Sequence, residues 1–261
     1  MNTEPTTAGA LLPPTTCSVF AGVELRKGDS IEVLQTLPAS HVDAVVTDPP
    51  YMIGAISTGD SSSKTGSWVD LMNASFWYRE WMGECWRTIK PDGFMVIFSN
   101  WRSVPMLLKA CADKKIPSTS LAVWDKDWIG PAGPAQLRPT YEMILFCAKE
   151  GAKIDNRSRS DVFRHKWMAC HAGQSGHPAQ KPVPLLKELV ELVTKPDGLV
   201  LDPFTGSGTT GIAALQAGRR FLGIEADDQW HALAAERLQS AADPMHAMQR
   251  QNNALSQSRE I

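Results

Sequence analysis

The chain has little that would mark a special environment. No apolar run approaches the roughly 20 residues of a membrane span, and the opening stretch, with two prolines and no positive n-region, reads as no signal peptide. The five cysteines, Cys17, Cys85, Cys111, Cys147 and Cys170, are odd in number and contain no C-x-x-C pair, which favours reduced thiols and a cytoplasmic protein. A formal net charge of -2 does not announce a nucleic-acid binder, although a local basic surface is compatible with a near-neutral total. There is no G-K-[ST], which argues against a phosphate-gripping loop, and no G-x-S-x-G elbow for hydrolase chemistry. His165, Cys170, His171 and His177 cluster in sequence but match no common zinc spacing, so no metal is expected.

What is present is ordinary globular material. With 261 residues and 43% hydrophobic content, the chain can bury a sizeable core. Residues 1–20 and 243–261 are polar or Thr/Pro-rich and read as flexible ends. Between them, residues 21–242 alternate strand-like and helix-like runs. The expected strands are VELR, DAVVT, GFMVIF, LAVW, EMILFC, GLVLD and RFLGIE. The expected helices span Phe76–Ile89, Trp101–Lys114, Pro182–Thr194, Thr209–Ala217 and Asp228–Gln239. Two Lys-Pro-Asp-Gly stretches, at 90–93 and 195–198, each end a helix and open a strand, as joints of a parallel α/β sheet do. Trp77 and Trp81 share a helix face, which favours core packing.

Two stretches carry chemistry. In VDAVVTDPPY, a buried strand must stop at about Asp48, because Pro49 and Pro50 cannot donate to a ladder; an acid and Tyr51 are thereby left at a strand's carboxyl edge, where open sheets bind ligands. In GLVLDPFTGSGTTGIAAL, a strand ends at Asp202 and a helix opens at Thr209. Gly206, Gly208 and Gly211 satisfy G-x-G-x-x-G, and Glu225 closes the next strand about 20 residues on, placed to bond a ribose diol. This is a nucleoside site. NAD fits the pattern formally, but a negative Asp202 beside the loop suits a cationic amino group better than a pyrophosphate, and S-adenosylmethionine carries such a group.

With TDPPY, DPFTGSGTT and HPAQKP in one chain, the sequence resembles the S-adenosylmethionine-dependent amino-DNA methyltransferases, and its motif order resembles their β group. The resemblance implies a Rossmann-like, seven-stranded mixed sheet, circularly permuted relative to most methyltransferases. It implies catalytic roles for Asp48, Pro49, Pro50 and Tyr51. It implies cofactor contacts from Asp202, Phe204, Gly206, Ser207, Gly208, Thr209 and Glu225, with Asp29 near the adenine and Gln180 and Lys181 near the methionine end.

Aspartate at position 48 resembles the adenine-N6 enzymes more than the cytosine-N4 enzymes, so transfer to N6 of a flipped adenine in double-stranded DNA is expected. Cytosine-N4 transfer stays open, as does a catalytically silent DNA-binding regulator. The family's variable recognition region falls at about 151–176. There, Arg157, Arg159, Arg164, Lys166 and Trp167 are expected to meet DNA, a mixture suited to phosphates and stacked bases. The Gly/Ser-rich stretch Ile56–Asp70 is expected to act as a flap. A homodimer, a cognate restriction endonuclease and a nucleoid-associated location are further implications.

Overall fold

The computed structural model describes residues 16–20, 22–51, 68–167 and 180–243. The flap stretch before residue 68, residues 168–176 of the recognition region, His177 and most of both ends lie outside them.

Among the described residues, nine strands form one sheet in the order β1-β2-β9-β8-β3-β4-β6-β5-β7. They are β1 Thr16–Phe20, β2 Val23–Lys27, β3 Val42–Thr47, β4 Ile89–Ser99, β5 Ser118–Asp125, β6 Tyr141–Ala148, β7 Val162–Arg164, β8 Leu199–Asp202 and β9 Arg220–Glu225. The seven expected strands are all there, as the contiguous centre from β2 to β5. The count of seven is corrected to nine by one short strand at each edge. β1 pairs antiparallel with β2, so residues 16–20 are sheet rather than part of a loose N-terminus. β7 pairs parallel with β5, so part of the 151–176 segment is an extension of the sheet. The sheet is mixed because β6 runs antiparallel to both β4 and β5.

Among the described residues, six helices cover it: α1 Ser30–Thr36, α2 Trp68–Thr88, α3 Val104–Lys114, α4 Val183–Val193, α5 Thr209–Gln216 and α6 Asp228–Ala242. One apolar cluster joins α1, α2 and α3 to one sheet face through Leu34, Trp81, Met95, Leu107 and Leu201. A second joins α4, α5 and α6 to the other through Val46, Val96, Leu189, Ala213 and Leu238. β3 is buried on both faces from Ala44 to Thr47, which is why Ala-Val-Val-Thr runs there without an alternating charged residue.

The two Lys-Pro-Asp-Gly joints, entering β4 and β8, converge on one acid. Asp92 and Asp197 adopt left-handed backbone (φ 67 and 62), which Asp tolerates. Between them, one Asp43 carboxylate oxygen accepts from Lys90 Nζ and from the Leu199 N–H, each at 2.8 Å. The amino end of β3 is pinned there, opposite the site.

Candidate active site

The chain leaves β3 through α2 towards β4, but leaves β8 through α5 towards β9, in the other direction along the sheet. β3 and β8 are neighbours, so their carboxyl ends form the switch point at which open α/β sheets bind ligands. Asp48 and Asp202 stand there. A cavity of about 640 Å³ opens over them.

On the β8 side, Asp202 is 2% exposed. Its Oδ1 accepts from Thr47 Oγ1 at 2.7 Å and from the Phe204 N–H at 3.1 Å. Burial pushes its carboxyl up to about 6; the Thr47, Thr210 and Phe204 donors oppose this and the nearby Asp48 charge adds to it. Gly208 takes φ 81 as the residue before α5, a conformation glycine adopts without strain. A Cβ on Gly211 would lie 2.5 Å from Leu238 Cδ2, so glycine is what lets α5 close on α6. Glu225 holds the loop in shape. Its two oxygens accept from the Gly206 and Asp227 N–H groups at 2.8 and 2.9 Å, leaving each oxygen a lone pair for a hydroxyl donor. Asp29 caps α1, its Oδ1 accepting from the Ile31 N–H at 2.9 Å, and it faces the same cavity.

On the β3 side, Asp48 is partly buried and both its oxygens are engaged. Tyr51 Oη donates to Oδ1 at 2.8 Å, and Lys181 Nζ donates to Oδ2. A second acid completes the group. Glu142 Oε2 lies 3.2 Å from Tyr51 Oη, as an alternative acceptor for its one hydrogen, and pairs with Lys181 at 3.3 Å, while its Oε1 pairs with Lys126 at 2.6 Å. Burial raises the Asp48 carboxyl, with Lys181 opposing and Glu142 assisting. Burial also raises the Tyr51 phenol, reinforced by both carboxylates. Burial alone would lower Lys181, but the two carboxylates outweigh it and hold the ammonium above its ordinary value. Burial works upward on Glu142 too, and there Lys181 and Lys126 win and hold it down.

Sequence reasoning names most of this cavity's wall: Asp29, Asp48, Pro49, Pro50, Tyr51, Gln180, Lys181, Asp202, Phe204, Gly206, Ser207, Thr209 and Glu225 all line it. Gly208 lies behind it, against Ala234. The reasoning missed Thr47, Trp124, Lys126, Trp128, Glu142 and Trp230. Glu142 had a signal: an acid opening the otherwise apolar strand YEMILFCA. Because β6 runs antiparallel, its start lies at the same sheet edge as the ends of β3 and β4. Trp77, expected only in the core, packs on Phe204 at 5.3 Å and also lines the cavity.

The expected DNA residues divide. Trp167 packs against Trp128, with ring centroids 4.4 Å apart and planes tilted by 33°, and both line the cavity. Arg157 and Lys166 are exposed, and the Arg164 side chain is 83% exposed. Arg159 already has partners within the chain: its guanidinium is paired with Glu188 and lies 4.3 Å from the centroid of the Phe163 ring. His165 also reaches Glu188, at 2.7 Å; Cys170, His171 and His177 lie outside the described residues.

The model of a family of DNA methylases, the N6/N4 methyltransferases, matches residues 42–236, most of the chain. This chain belongs to that family. The methylase is 29% identical over 248 aligned residues to the DNA adenine methyltransferase YhdJ of Escherichia coli K12, covering 82% of each chain. It is 28% identical to the type II methyltransferase M2.DpnII of Streptococcus pneumoniae, covering 83% of this chain and 89% of that one. The solved M1.HpyAVI–SAM complex superposes with a TM-score of 0.66 at 25% identity, over 83% of this chain and 98% of that one.

The protein is a DNA methyltransferase whose cofactor is S-adenosylmethionine. Its residues fit that cofactor: a buried acid for a cation, a glycine turn without a phosphate-gripping lysine, and an acid with free lone pairs for a ribose. Among the described residues, no helix is long and apolar enough to cross a membrane.

Proposed function

We propose that the methylase modifies the exocyclic N6 of adenine in double-stranded DNA, acting on a base turned out of the helix into the cavity. The observation that carries this reading is the position of Asp48, a partly buried acid beside the cofactor strand in a cavity walled by Tyr51, Trp124, Trp128 and Trp167. An aromatic cavity gives an extruded base a stacking surface, and only extrusion brings a base atom to such a depth.

An exocyclic amino nitrogen is a poor nucleophile because its lone pair is delocalised into the ring. Asp48 and the Pro49 carbonyl accept its two hydrogens and so free the lone pair for attack. Pro49 and Pro50 restrict the backbone that carries this carbonyl. Tyr51 and Lys181 hold the Asp48 oxygens in position before the base arrives. S-adenosylmethionine, when bound, would supply the methyl as a sulfonium; Asp202 would hold its cationic amino group, Glu225 its ribose diol, and Gln180 its methionine end. The protein's contribution is orientation and fixed charge.

Support for adenine comes from aspartate at position 48 and from the relative YhdJ, named an adenine methyltransferase. Arg157, Arg164 and Lys166 contact phosphates and Trp167 the base. A cognate restriction endonuclease is proposed as a partner because M2.DpnII is named a type II methyltransferase; a homodimer is proposed by family resemblance. The test is Asp48→Ala, which should abolish transfer to DNA while leaving cofactor affinity within about threefold, since Asp48 serves the base. Retained turnover would remove Asp48 from this role.

A further inference from the structure

The two donors that occupy Asp48 share a second acceptor. Tyr51 Oη lies 2.8 Å from Asp48 Oδ1 and 3.2 Å from Glu142 Oε2; Lys181 Nζ contacts Asp48 Oδ2 and lies 3.3 Å from the same Glu142 Oε2. Lys126 holds the opposite oxygen of Glu142 at 2.6 Å.

This matters because Asp48 must give up a hydrogen bond before it can accept one from a target amino group. A buried ammonium or phenol left without a partner would be costly, so its release from Asp48 needs another acceptor within reach. Glu142 is that acceptor for both donors.

We propose that Glu142 is a positioning residue for methyl transfer, taking over Lys181 and Tyr51 from Asp48 when the target amino group enters. The inference rests on the reading of Asp48 given above. No bond to Glu142 forms or breaks; it exchanges hydrogen bonds only. Among the described residues, the charged or titratable groups facing Asp48 are Tyr51, Lys181 ahead of α4, Glu142 on β6 and Asp202 on β8, with Lys126 behind Glu142.

Single-turnover methylation of DNA by wild type, Glu142→Gln, Glu142→Asp and the double variant Glu142→Gln/Lys181→Met tests the proposal, with thermal melting confirming that each is folded. In Glu142→Gln the amide oxygen is a neutral, weaker acceptor than the carboxylate, so the ammonium of Lys181 stays on the charged Asp48. The transfer rate should fall about 100-fold with cofactor affinity unchanged. The acid limb of its pH–rate profile should move to lower pH, because a negative charge facing Asp48 has gone.

The double variant, having no lysine to trap Asp48, should transfer about tenfold faster than Glu142→Gln alone, a non-additivity that lost packing would not produce. Glu142→Asp, which keeps the charge, should leave the acid limb near its wild-type position. A wild-type rate in Glu142→Gln overturns the proposal, as does a slow Glu142→Gln whose pH limb is unmoved and whose double variant is slower still. Wild type that transfers methyl to DNA alongside either result leaves the role of Asp48 standing. Wild type that transfers none overturns both.

Discussion

Thr47 donates its hydroxyl to Asp202 at 2.7 Å, joining the last residue of the Asp-Pro-Pro-Tyr strand to the acid that opens the glycine loop. Both residues are buried. The bond ties the two halves of the site together at the sheet's switch point, so the base side and the cofactor side hold a common register.

Thr47→Val keeps the shape of the side chain and removes that donor. Asp202 is left with fewer bonds to its ionised form, and its carboxyl should rise further. Stability should drop by about 1–3 kcal/mol, and cofactor affinity by about tenfold. Chemical denaturation and calorimetric titration with S-adenosylmethionine check the two effects; unchanged values in both would deny the bond its role.

Asp202 also gives the protein a pH signature. An acid whose pKa is higher folded than unfolded holds its proton more tightly in the folded state. Its contribution to stability is therefore full below the ordinary value of 3.8 and is lost as pH climbs through about 6. Across the whole window wild type should lose about 3 kcal/mol relative to Asp202→Asn, about half of it between pH 5 and pH 7.5. Cofactor affinity should run the other way, weakening by up to about tenfold per pH unit below 6 as the acid is neutralised. Denaturation of both proteins at pH 5 and pH 7.5, with cofactor titrations at each, measures both trends.

The basic residues after β6 should separate into two classes. Arg164→Ala and Lys166→Ala remove exposed charges and should weaken DNA binding, each reducing the slope of log affinity against log salt by about 1. Arg159→Ala breaks contacts with Glu188 and Phe163. It should cost about 1–3 kcal/mol of stability with the salt slope unchanged. Fluorescence-anisotropy titrations over a salt series, set beside melting curves, distinguish the classes.

Gly211→Ala should destabilise the fold by about 1–3 kcal/mol despite alanine's better helix propensity, because the new methyl overlaps Leu238 and Phe221. Melting temperature reads this directly; a gain in stability would mean that α5 moves more freely than its packing indicates.

Much of the architecture is legible in the sequence because the central strands are buried on both faces and read as unbroken apolar runs. The edges are not. β7 is three residues inside a polar segment, and β1 lies in a Thr/Pro-rich stretch, so neither offers a period to detect. α1 escapes the helix search because its seven residues are too few for a clear repeat, although Asp29 ahead of it is a good cap. Within the site, Asp48 and the glycine loop are local motifs and stand out. Glu142, at the start of antiparallel β6, and Lys126, just past the end of β5, take their meaning from lying at the sheet edge where β3 ends, a relation across the sheet that no spacing along the chain encodes. The Arg159 ion pair is hidden for the same reason: Glu188 lies on α4, far away in sequence.

The central claim is methyl transfer to adenine N6, and mass spectrometry of nucleosides measures it most directly. Unmethylated double-stranded DNA is incubated with the protein and S-adenosylmethionine, digested and analysed, with RNA and cofactor-free reactions alongside. The account predicts N6-methyladenine from DNA in the complete reaction alone. N4-methylcytosine in its place, or DNA left unmodified by a protein that binds the cofactor, would contradict it.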